Sequence, residues 1–157
     1  MDGTNGADSN AVTKAAPYLT IAQAITSSAA TRGDLIIIAP GTYTITAALV
    51  PKANTSFLAG RMVNPRAPSV TIAGNIADMV QIDVNGTYWE GIEFEATGAT
   101  TDNLVDIADT AAVVGCAFVN CVFNGGDQTS VVGIQLDDAT FACSRLYIEG
   151  CTFRDLT

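Results

Sequence analysis

The stretch CAFVNCVF, Cys116–Phe123, alternates side-chain character on either side of a single asparagine, and variants of it recur along the chain. TSFLAG (Thr55–Gly60), TYWEGIEF (Thr87–Phe94) and LYIEGCTF (Leu146–Phe153) share its plan. The central residues Gly60, Gly91, Asn120 and Gly150 lie 31, 29 and 30 residues apart. A second marker keeps step: VQID (Val80–Asp83), VDIA (Val105–Ala108) and IQLD (Ile134–Asp137), spaced by 25 and 29. Two markers in near-constant register indicate a stacked repeat. Glycine and asparagine are the residues that tolerate a left-handed backbone, so each unit is expected to turn a corner at its central residue.

The flanking segments then read as short strands. Alternation places four columns inward. Before the corner these are Leu58/Trp89/Phe118/Ile148 and Ser56/Thr87/Cys116/Leu146; after it come Ile92/Cys121/Cys151 and Phe94/Phe123/Phe153. Each member would stack on its equivalent about 4.8 Å away. One coil cannot bury its own interior, but several can, which is the logic of a parallel β-helix.

Working outward, GDLIIIAPGTYTI (Gly33–Ile45) supplies two strands of a first coil, with Pro40-Gly41 at its corner. The one helical pattern lies just before it, in PYLTIAQAITSSAATRGD. Thr20 is its N-cap, Ile21, Ala24, Ile25 and Ala29 form its apolar face, and Gly33 stops it. Such a helix would cover the open end of the stack. The expected architecture is all-β: a parallel β-helix of about four to five coils in a single domain, residues 1–157. Residues 1–33 are lead-in and cap helix, and residues 34–157 are stacked coils.

Composition agrees. Of 157 residues, 48% are hydrophobic and only 15% charged, and histidine is absent, which excludes His-based triads and His metal sites. The net charge of −9 argues against nucleic acid as a partner. No apolar run approaches membrane length, so no membrane insertion is expected. The opening MDGTNGADSN has neither a basic nor an apolar signal region, so no signal peptide is expected on this chain. Four cysteines, Cys116, Cys121, Cys143 and Cys151, lack zinc-site spacing. Cys121 and Cys151 share an inward column, but parallel Cβ directions disfavour a disulfide, so free buried thiols are expected.

The order DGTNG…PYLTIAQAI…GDLIIIAPGTY resembles the N-terminal signature of pectate-lyase-like right-handed parallel β-helix proteins. EGIEF, NCVF and EGCTF are similar to that superfamily's coil segments. The resemblance implies a right-handed helix of coils and a scaffold shared by lyases, hydrolases, adhesins and bacteriophage tailspikes.

The resemblance implies that any chemistry lies over the outward face of the VQID/VDIA/IQLD sheet. There Asp83, Asp106, Asp137 and Asp138 are the catalytic candidates, beside Gln81 and Gln135. Carboxylates at coil spacing suit Ca²⁺ or an acid–base pair. The basic residue that calcium-dependent lyases need has only Lys52 as a nearby candidate. The Gly-His-Gly and Arg-x-Lys motifs of polygalacturonase-like hydrolases are missing. DGTNGADSN, with Asp2, Asn5, Asp8 and Asn10, superficially resembles a calcium loop but lacks the terminal Glu. No metal site and no cofactor is therefore expected, with Ca²⁺ the one exception entertained.

A second set faces outward beside the corner. Tyr88, Tyr147, Glu90 and Glu149 are the glycan-binding candidates, with Phe57 in the same aromatic column. Past the corner, Glu93, Glu95, Asn124 and Arg154 face outward. The loop RMVNPRAP (Arg61–Pro68) carries Arg61 and Arg66, the one place an acidic sugar could be held. The last coil has no cap after Phe153 and Leu156, so self-association (a trimer among the forms considered) or continuation of a longer chain is expected to bury it. The expected function is a non-catalytic structural or binding module of a virion, such as a phage tail or fibre, or of an extracellular protein, contacting polysaccharide. The alternative is a polysaccharide lyase or glycoside hydrolase acting on acidic polysaccharide.

Overall fold

The computed structural model describes residues 1–9, 16–60, 68–108, 110–136 and 142–156. Its strands stack in parallel into three sheets. The first holds β1 (Leu35–Ile38), β3 (Ser56–Ala59), β6 (Tyr88–Glu90), β10 (Ala117–Val119) and β14 (Tyr147–Glu149). The second holds β2 (Gly41–Ile45), β4 (Val70–Gly74), β7 (Ile92–Ala96), β11 (Val122–Asn124) and β15 (Thr152–Arg154). The third has β5 (Asp78–Ile82), β8 (Asn103–Ile107) and β12 (Val132–Leu136), and β9 (Val113–Val114) pairs with β13 (Cys143–Ser144). Every pairing is parallel and joins neighbouring coils, so the chain is a β-solenoid. About three turns carry all three sheets, fewer than the four to five coils expected, because the outermost turns contribute strands only to the first two.

The corners form where the repeat places them. Gly91, Asn120 and Gly150 have φ of 71°, 53° and 63°, in the left-handed region. The first repeat departs from expectation. Gly60 is outside that region, and the register pairs Phe57 with Trp89 and Ser56 with Tyr88. The expected column of Leu58 and Ser56 is therefore displaced by one residue, since alternation makes any single-residue slip exchange the two faces. Phe57, expected outward, is fully buried, and Thr55 takes the place given to Ser56. Gly60 is small for a different reason: a Cβ there would lie 2.9 Å from the Ile38 carbonyl oxygen.

The core follows from the corrected columns. Ile36, Phe57, Trp89 and Phe118 stack from coil to coil, and Tyr43, Ile72, Phe94 and Phe123 form a parallel stack around the corner. Phe57 and Trp89 stack with ring centres 3.8 Å apart and planes nearly parallel; those of Phe94 and Phe123 are 5.4 Å apart. Trp89 meets Phe94 edge-on at 5.7 Å, and Phe118 meets Phe123 at 5.5 Å, so the two ladders interlock across the bend. Stacked and edge-on geometries each add about 0.5–1.5 kcal/mol beyond area burial. Ile148 and Phe153 continue these columns into the last described coil but remain 42% and 47% exposed.

At the other end, helix α1 (Ile21–Ser27) buries Ile21, Ala24 and Ile25 on the first coil. Thr20 caps it by accepting from the Gln23 amide at 3.2 Å. The helix ends at Ser28, short of Gly33, and Ala29 lies outside it. Two contacts explain the early stop. The Ala29 amide donates to Asp34 at 2.7 Å, and the Lys52 ammonium donates to the carbonyls of Thr26 and Ser28, both at 2.6 Å. Both satisfy groups that another helical turn would have claimed. Beside the helix, the Met1 ammonium donates to Ile37 O and the Ala39 amide to Met1 O, covering the edge of β1.

Candidate functional site

On the third sheet, strands β5, β8 and β12 bring Gln81, Asp106 and Gln135 into one register. Asp106 is only 8% exposed and sits between the two amides, whereas Gln135 is exposed. Asp83, just past β5, accepts the Thr110 amide at 2.8 Å, and the neighbouring Asn85 accepts the Val114 amide at 2.7 Å. Asp83 thus ties one coil's turn to the next coil. Asp137 and Asp138 lie outside the described residues, as do Arg61 and Arg66 of the loop considered for acidic sugars.

Lys52, the basic candidate in LVPK, points its ammonium at the helix carbonyls instead. Asp2 accepts the amides of Thr4 and Asn5, and Asp8 accepts those of Leu19 and Thr20 together with the Thr20 hydroxyl. Asp2 thus folds the lead-in on itself and Asp8 binds it to the helix cap; Asn10 lies outside the described residues. Among the described residues, no three of the cysteines and carboxylates converge as a metal site.

The first sheet's outer face is different. Tyr88 and Tyr147 occupy one register, separated by Ala117, and Glu90 and Glu149 occupy the next, separated by Val119. In each pair the strand alternation puts tyrosine and glutamate two residues apart on the same side. The Tyr88 hydroxyl donates to Glu90 at 2.7 Å, and the Tyr147 hydroxyl donates to Glu149. Burial together with the Glu90 carboxylate pushes the Tyr88 phenol up to about 12. The Glu149 carboxylate raises that of Tyr147, which is 53% exposed. Both phenols stay protonated at neutral pH and hold their carboxylates in place. The slip in the first repeat changes what accompanies them: Ser56 and Leu58 stand below Tyr88 and Glu90, then the exposed Leu35 and Ile37. This face is thus a strip of apolar surface crossed by two Tyr–Glu pairs.

The second sheet's outer face carries a bonded polar network. Glu93 forms an ion pair with Arg154, accepts from Asn124 at 3.1 Å, and takes the Thr71 hydroxyl at 3.4 Å. Asn124 also reaches Glu95 at 3.4 Å. These four outward residues satisfy one another across coils. Two open grooves, of about 980 and 400 Å³, flank helix α1. The first is walled by Tyr18, Leu35 and Ile37 with Asp2 and Asp34, and the second by Leu19, Thr42 and Ile45; neither includes Asp83, Asp106, Glu90 or Glu149.

Sequence reasoning missed the helix-capping role of Lys52 and the coil-to-coil bond from Asn103 to Asp78 at 2.7 Å. The equal register of those two residues ahead of VQID and VDIA was the available signal for the second. Nothing local in LVPK announces the first, because its partners lie more than twenty residues earlier.

A family model described as "Protein of unknown function (DUF1565)" matches residues 4–51, the span of the lead-in, α1, β1 and β2. No curated protein and no solved structure matches the chain. The protein is thus a parallel β-helix whose opening third is similar to a family without an assigned activity.

Proposed function

We propose that this chain is a non-catalytic β-helix module of the pectate-lyase-like type, acting as a scaffold in a virion or extracellular assembly and contacting glycans on its first sheet. The observation that carries the reading is the recurrence of the Tyr–Glu pair at one register, two coils apart. An exposed phenol ring stacks on the apolar face of a pyranose, and a carboxylate already oriented by the phenol accepts sugar hydroxyls. Two such pairs, spaced by about 9.6 Å along the solenoid axis, would engage successive portions of one extended saccharide chain. The Glu90 and Glu149 charges, with the net charge of −9, favour neutral or amino sugars over uronates.

A panel of neutral, amino and acidic oligosaccharides tests this by calorimetry, with product analysis in parallel. Binding of neutral or amino sugars without chain cleavage is expected, weakened about tenfold in Tyr147→Ala, the loss of roughly 1.4 kcal/mol. Cleavage of an acidic polysaccharide, abolished by Asp106→Asn, would instead establish a lyase or hydrolase.

A further inference from the structure

On the first sheet's outer face, the two Tyr–Glu pairs flank a strand that carries neither residue. The register sets Ala117 between Tyr88 and Tyr147, and Val119 between Glu90 and Glu149. The two pairs therefore stand about 9.6 Å apart, with only a methyl and an isopropyl group between them. Alanine is the shortest side chain in its column, which reads Leu35, Ser56, Tyr88, Ala117 and Tyr147 from coil to coil. The result is a notch one coil wide, floored by Ala117 and Val119 and walled by the two pairs. Its rim offers acceptors. In each pair the phenol donates to Oε2 of the glutamate, and among the described residues no donor takes Oε1.

We propose that this notch makes the glycan face selective for N-acetylated amino sugars, with Ala117 the residue that sets the preference. The inference rests on the glycan reading above and adds the substituent that the face recognises. The acetamido methyl of a sugar unit seated over β10 packs on Ala117 and Val119. The acetamido N–H donates to the open oxygen of Glu90 or Glu149.

Sugar substituents differ in how they meet such a notch. An acetamido group brings a methyl to the apolar floor and a donor to the acceptor rim, so both halves are matched. A hydroxyl is too short to cover the two side chains and leaves them wet. An ammonium is drawn to the carboxylates but has to shed water over an apolar floor, which costs more than an exposed charge pair returns. A carboxylate is repelled by both glutamates. The second sheet's outer face lacks this opening, because Glu93 and Glu95 are already engaged by Asn124 and Glu93 also by Arg154.

The test is calorimetric titration of the 157-residue chain with three β-1,4-linked tetrasaccharides, built from glucose, glucosamine or N-acetylglucosamine. The N-acetylated tetramer should bind about tenfold more tightly than either of the others. In Ala117→Leu, which fills the notch, that ratio should fall to about one. Equal affinities in wild type, or a ratio that Ala117→Leu leaves intact, would overturn the inference while the glycan reading stands. Tightest binding of the glucosamine tetramer would also overturn it, since charge pairing would then outweigh the apolar floor. Absence of binding by all three sinks both readings. Should Ala117→Leu fail to fold, saturation-transfer NMR on wild type decides: the acetamido methyl must receive the most saturation of any sugar proton.

Discussion

At the scale of single residues, two glycines show how one residue type serves unrelated needs. Gly115 has φ of 77° and open space where a Cβ would point, so its requirement is conformational. Gly60 has no left-handed φ, but its missing Cβ spares the Ile38 carbonyl. Asparagine tolerates the left-handed region and a β-branched residue does not. Gly115→Asn should therefore cost under about 1 kcal/mol and Gly115→Val about 1–3 kcal/mol. Gly60→Asn should be as damaging as Gly60→Ala, because any Cβ meets backbone. Urea-denaturation midpoints of the four variants check this; rescue by asparagine at Gly60 would contradict the steric account. The same contrast explains the misread first repeat. Gly60 matches the other corner residues in type and near-spacing but answers to a different constraint, so aligning on it displaced Phe57 from the core.

At the scale of elements, strands were more legible than their ends. The columns Phe94/Phe123/Phe153 and Gln81/Asp106/Gln135 stand in the register their spacing implies, because parallel stacking places like positions together. Helix α1 was legible from Thr20 and its apolar face, but its last residue was not. Tertiary partners decide that end: Asp34 and Lys52 take up the final amide and carbonyls. Lys52→Met should therefore lower stability by about 1 kcal/mol, the usual worth of a cation at a helix C-terminus. Hydrogen exchange should quicken over residues 21–28 while β6, β7 and β8 keep their protection. Uniform loss of protection across the sheets would mean that Lys52 supports more than the helix.

At the scale of the whole molecule, the solenoid hides thiols in its interior, and that gives it an alkaline weakness. Burial raises the folded pKa of Cys116 from an ordinary 9.0 to about 12, and those of Cys121 and Cys143 also stand raised. A raised folded pKa means that the unfolded thiol ionises first. Its contribution to stability is complete below about pH 9 and is lost as pH climbs toward the folded value. Denaturation midpoints should fall from about pH 9 upward, with a shallower fall in Cys116→Ala. A flat wild-type profile to pH 11 would refute this. The sequence showed Cys116 and Cys121 as inward. The candidate carboxylates were less legible, because alternation predicts a side but says nothing of which backbone amide a turn will present. Asp83 joins a turn, and Asp106 is covered by its neighbouring coils.

Trp89 is the chain's single tryptophan, and it sits at the middle of the first aromatic ladder against Phe57. Its indole is therefore a built-in optical gauge of coil stacking. Emission from the folded protein arises from one fully dry environment, and separation of the second and third coils brings that ring into water. A shift in colour thus reports the parting of two specific neighbours, without any label being attached to the protein.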